Sequence, residues 1–72
     1  MNRLRKATVS HFKARRDEAI ATLEVYFQKT VGIGEHSELL EEITKWTERL
    51  ANAEDCLDSL KRNFDDDGNP KS

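Results

Sequence analysis

Leu39, Ile43, Trp46, Leu50, Ala53, Leu57, Leu60 and Phe64 recur at alternating intervals of four and three residues. An α-helix turns once every ~3.6 residues, so this spacing gathers all of them into one lengthwise stripe. On a strand the same residues would scatter over both faces. A stripe this long calls for a second helix laid along it, seam to seam. The ends of the segment agree. Ser37 stands where an N-cap belongs, and Glu38, Glu41 and Glu42 fill the first turn, where the helix dipole favours anions. Lys61 and Arg62 fall in the last turn, where it favours cations. Asp58 with Arg62 and Glu41 with Lys45 are spaced and ordered as helix-stabilising pairs.

The first half supplies the second helix. Phe12, Arg16, Ile20, Leu23 and Phe27 mark one stripe, widened by Ala19 and Tyr26. Arg16 lies within it and is expected to lay its stem on the apolar surface with the guanidinium at the rim. Between the halves stands VGIGEH, residues 31–36. A dinucleotide loop needs a third glycine after a strand, and a triphosphate loop needs Lys and Ser or Thr after its last glycine. Here a helix precedes the glycines and Glu35 follows Gly34, a carboxylate that would repel phosphate. The stretch reads as a bend in which Gly32 ends one helix and Gly34 lets the chain turn, with Val31 and Ile33 tucked beneath. The expected architecture is all-α: an antiparallel hairpin over residues 1–64, with helices at about 2–30 and 37–64, a bend at 31–36, and residue i roughly opposite residue 66 − i. DDDGNPKS, residues 65–72, has no apolar residue and is expected to be a disordered acidic tail.

A chain of 72 residues forms one small domain whose core can exclude little water. Cys56 is the only cysteine, so no disulfide closes within the chain, and a reducing, cytoplasmic setting is expected. Residues 1–10 lack the apolar core of a signal peptide, and no stretch is apolar enough for a membrane span. Two helices cannot surround their own seams. Pairing two hairpins into a four-helix bundle would cover the open flank, with Ile20, Leu23, Phe27, Ile43, Trp46, Leu50 and Leu57 at the interface and Trp46 as its central anchor.

Charge is unevenly spread. Residues 1–16 carry Arg3, Arg5, Lys6, Lys13, Arg15 and Arg16 with no acid, and all fourteen acidic residues follow. In the hairpin register Arg3, Arg5 and Lys6 lie beside Asp65, Asp66 and Asp67, and on one reading those charges serve only the fold. Arg15 and Arg16 fall near Leu50, away from the acidic tail. Arg5, Lys13, Arg15 and Arg16 are the expected contacts to a partner protein or, as an alternative, to a nucleic-acid backbone. Against the alternative, the aromatic residues are not interleaved with the basic ones, and the pI is about 5.6.

Enzymatic chemistry finds no foothold. His11, His36 and Cys56 are the only soft metal ligands, and no two share one helical turn. Cys56 adjoins the seam position Leu57, which makes it a small hydrophobe by default. Two slim helices offer no deep cleft for a base and a nucleophile. No catalytic residue, cofactor or metal is expected.

The segment YFQKTVGIGEHSELLEEITKWTERLANAEDCLDSL, about half of the chain, resembles small helical-hairpin proteins of T4-like tailed bacteriophages. The shared pattern is an aromatic pair, the V-G-I-G-E-H bend, an acidic helix start and A-x-A-E-D. The resemblance implies an accessory protein made in the host cytoplasm, acting on a host or phage protein or in phage nucleic-acid metabolism. A small virion component is a further option. It carries over no catalytic or binding residue, and it does not extend to the basic head.

Overall fold

The computed structural model describes residues 2–28 and 36–71. Two helices, α1 (Arg3–Gln28) and α2 (His36–Asn63), pack against each other along their length. The body measures 51 × 19 × 13 Å. The order is antiparallel: the Arg5 guanidinium reaches the Phe64 carbonyl and Asp66, while Tyr26 reaches Glu42 at the other end. These pairings lie within a few residues of the register expected from the sequence. The expected bend, with Gly32 and Gly34, lies outside the described residues.

The line of contact runs through Arg5, Phe12, Ala19, Leu23 and Tyr26 on α1, all withdrawn from solvent at spacings of seven or of four and three. At its centre Ala19 and Ala53 are 0% and 1% exposed, and Leu23 is 7% exposed. Small side chains there let the two backbones approach closely. Arg16 sits at the rim as expected, half-buried, with Nε 3.2 Å from the Asp17 carboxylate. Ile20 and Phe27, expected on the seam, are exposed on its flank instead. The seam is centred on alanine, and a small residue gives little signal of where a stripe has its middle.

Two local expectations shift. Helix α2 already begins at His36, one residue before the proposed cap. Lys45 pairs with Glu42 at 3.0 Å rather than with Glu41. Glu42 lies on the side of α2 that faces Tyr26, so its carboxylate collects both donors. The Asp58–Arg62 pair forms as expected, at 3.0 Å.

The larger departure is at the tail, expected to be disordered. Residues 65–71 fold back in a hydrogen-bonded turn. The Asp65 carboxylate accepts from the amides of Asp67 and Asn69 at 3.0 and 2.8 Å, and the Gly68 amide donates to the Asp65 carbonyl at 3.0 Å. Phe64 and Pro70 form an isolated antiparallel bridge. Lys71 then caps α2: its amide donates to the Asn63 carbonyl at 2.8 Å and its ammonium to the Lys61 carbonyl at 2.7 Å. A helix end leaves its last carbonyls without partners, and this tail supplies donors for two of them. The turn also holds α1. Asn2 caps α1 by accepting the Arg5 amide at 3.0 Å, while its own amide donates to the Asp66 carbonyl at 3.1 Å.

Candidate interaction surfaces

Helix geometry divides the expected contact residues between different sides of the hairpin. From Ala19, Ile20 lies about 100° round the helix one way and Glu18 about 100° the other. Because the helices are antiparallel, residues displaced in the same sense from Ala19 and Ala53 emerge on the same side. Glu18 and Asn52 do line one groove together.

That groove, of about 300 Å³, lies between the helices at mid-length. His11, Phe12, Arg15 and Glu18 form one wall, and Trp46, Arg49, Asn52 and Ala53 the other. The His11 and Phe12 rings meet edge to face at 5.1 Å. The Arg49 guanidinium sits over the Trp46 ring at 4.5 Å, with the Lys45 ammonium at 5.8 Å. Such cation–aromatic contacts hold a charge over an apolar surface. Arg15 makes a 3.8 Å contact with Glu18, with both side chains largely exposed. The groove therefore joins an aromatic floor to two guanidiniums. Arg49 was not among the residues picked from the sequence; its place three residues after Trp46, on the same side of α2, was the available signal.

Arg5, by contrast, is committed to the end of the hairpin that residues 64–71 close, opposite the bend. Its side chain is 16% exposed, it approaches Asp66 at 3.6 Å and the Phe64 carbonyl at 3.5 Å, and its Nε is buried without a hydrogen-bond partner. Lys13 is exposed and lies with Lys6, Val9 and Ser10 on the other side of α1 from Arg15.

Of the expected interface residues, Leu23 is already buried within the single hairpin. Ile43, Trp46, Leu50 and Leu57 are half-buried, and Ile20 and Phe27 are exposed. Ile20, Val9, Ile43 and Leu50 emerge on the flank opposite the groove. Leu4, Val25 and Leu40 add further apolar surface elsewhere, Leu4 being 80% exposed.

The Glu42 carboxyl is held below its ordinary pKa. The hydrogen bond from Lys45 lowers its pKa most; partial burial opposes this, and the Lys45 charge and hydrogen bonds from Tyr26 and Trp46 lower it further. Among the described residues no three His, Cys, Asp or Glu side chains come together as a metal site, and no helix is long and apolar enough to cross a membrane. Comparison with protein-family models, curated proteins and solved structures finds no match.

Proposed function

We propose that this chain is a non-enzymatic accessory protein that works by protein–protein interaction, as a hairpin that associates with itself and presents a surface to a second protein. One observation carries the reading. Only Ala19, Leu23 and Ala53 are buried apolar residues among those described, while Phe12, Ile43, Trp46, Leu50, Leu57 and Leu60 stay half wet and Ile20 is exposed. Full burial of a large apolar side chain contributes about 1.5–3 kcal/mol, so a flank this incomplete favours a further layer of helix. A four-helix bundle of two hairpins supplies it. The bacteriophage setting, the host cytoplasm and a role toward a host or phage protein rest on the resemblance of residues 26–60 alone.

Nucleic-acid binding through the basic head is the second reading, and a virion component a third. Arg3, Lys6 and Lys13 form no ion pair among the described residues, which favours the second. Against it, Arg5 is turned into the hairpin, and Lys13 and Arg15 emerge about 200° apart on α1, too divergent for one phosphate track.

Sedimentation velocity over a concentration series, with and without DNA or RNA at low salt, separates the readings. The proposal expects a dimer at micromolar concentration that ignores nucleic acid. A concentration-independent 8.3 kDa species overturns it. Co-sedimentation with nucleic acid that weakens steeply with salt supports the second reading. Recovery of the chain from purified virus particles would support the third.

A further inference from the structure

Resting on the self-association reading, we infer that the flank of α1 opposite the groove packs antiparallel against the same flank of a second copy, which places the two bends at opposite ends of the assembly. The outer rim of that flank reads Lys6, Lys13, Asp17, Glu24, at intervals of seven, four and seven. Those intervals keep all four on one side of the helix. All four are exposed. Lys6, Lys13 and Glu24 form no ion pair among the described residues, and Asp17 holds only its chain neighbour Arg16.

The order is two cations followed by two anions, symmetric about the point between Lys13 and Asp17. Turning a second α1 end for end about that point sets Lys6 opposite Glu24 of the second copy and Lys13 opposite its Asp17. The two-fold axis repeats both pairings, so each rim charge meets its opposite. The same turn lays Val9 beside Ile20 of the second copy, covering the exposed isoleucine. The other arrangements do worse. With the bends at the same end, α1 lies against α2 of the second copy at equal height. At the height set by the Tyr26–Glu42 and Asn2–Asp66 bonds, Lys13 then meets Asp55, but Lys6 meets Arg62, and Asp17 and Glu24 meet only Ala51 and Thr44. Two α1 helices running in parallel put every rim charge opposite its like. Exposed charges of this kind select an orientation more than they supply affinity, which here comes from the apolar flank. The groove with Trp46, Arg15 and Arg49 faces away and stays open to a different partner.

The test uses the full chain. Lys6→Glu with Lys13→Glu makes the rim wholly acidic; Asp17→Lys with Glu24→Lys makes it wholly basic. Each double variant should dimerise at least about tenfold more weakly than the parent, since four pairs turn repulsive. An equimolar mixture should form a mixed dimer, and a chain with all four changes should dimerise like the parent. Circular dichroism confirms that each variant is helical. Should a double variant not fold, the orientation is read in the parent sequence instead. Spin labels on Gln28→Cys in a Cys56→Ser background should sit roughly 40 Å apart along the axis at ~1.5 Å rise per residue, because Gln28 lies thirteen residues from the two-fold at position 15. A parent dimer whose labels lie within one bundle width, or whose charge variants are not rescued by mixing, overturns the orientation and leaves self-association standing. A monomeric parent overturns both.

Discussion

The middle of the seam and the end where the chain termini meet are held by different physics. Along the middle of the hairpin, apolar spacing brings the helices together, yet the burial it achieves is slight: two alanines and one leucine. At the closed end none of the described apolar residues is fully buried, yet residues 64–71 and Asn2 are joined by a dense set of backbone and side-chain hydrogen bonds. Apolar burial is non-directional and leaves the outer flanks of α1 and α2 available to a second layer. The hydrogen-bonded end is directional. It satisfies helix carbonyls and a helix cap, and leaves little for a partner to add. Arg5 and Arg15 make the same contrast with one residue type, since one is drawn into the closed end and the other stands at the groove.

If that contrast holds, the middle should be the more sensitive to loss of volume. Leu23→Ala removes the only large buried side chain among the described residues and should cost about 2–4 kcal/mol in chemical denaturation. A loss below about 1 kcal/mol would mean that the seam is not what holds the hairpin. The closed end should respond to backbone change instead. Gly68 has φ +83°, and a Cβ there would lie 3.2 Å from the Asn2 side-chain nitrogen Nδ2. Gly68→Ala should cost about 1–2 kcal/mol through the left-handed backbone and the crowded cap. Amide exchange should quicken at Asn2 and Lys71 while the middle of α2 stays protected. Unchanged exchange at both would show that the tail turn is not coupled to α1. Between the two arginines, Arg5→Ala should destabilise by about 1 kcal/mol, because it empties a largely buried place and removes a carbonyl contact. Arg15→Ala should change stability by less than about 0.5 kcal/mol, since its one ion pair is long and exposed. Equal losses from the two would erase the distinction between a structural and an available cation.

How much of this was legible in the sequence follows the same division. The α2 seam could be read because its apolar stripe and its Lys61–Arg62 end point the same way. The approximate register followed from the symmetry of two helices about a bend, and it correctly placed Arg5 beside the acidic tail and Arg15 away from it. The centre of the α1 stripe was harder to read. Ala19 is the most buried residue there, but alanine is common on any helix face and carries no periodic signal. The tail misled because composition measures only how much apolar surface can be buried. DDDGNPKS has none, but several of its residues fix the turn locally: Asp65 accepts two amides, Gly68 takes a positive φ, and Lys71 reaches back to the helix carbonyls. The groove was half legible: Arg15 and Trp46 were singled out, and Arg49 was not.

The smallest expected effect lies where the seam meets the Tyr26 end of the hairpin, and it tests whether polar bonds there are as directional as those at the closed end. Glu42 accepts from Lys45 and from the Tyr26 hydroxyl, at 3.3 and 3.4 Å. The Lys45 hydrogen bond is the main reason that its pKa is lowered. A carboxyl whose folded pKa is depressed lends stability above its unfolded pKa and loses it as pH falls through the folded one. The contribution from Glu42 should therefore be intact at neutral pH and fade only on acidification below the ordinary carboxylate range, about 4.3 for glutamate. Lys45→Met keeps the apolar stem and removes both the donor and the charge, so the Glu42 side chain should titrate at higher pH than in the parent when followed by carbon NMR. The Tyr26 hydroxyl should hold part of the depression. Tyr26→Phe alone should move the titration upward by less than Lys45→Met does, in keeping with the longer oxygen–oxygen distance. If Tyr26→Phe moves it more, the inter-helix bond rather than the pair within α2 sets the ionisation of Glu42, and the Tyr26 end of the seam is stitched in the same directional way as the closed end.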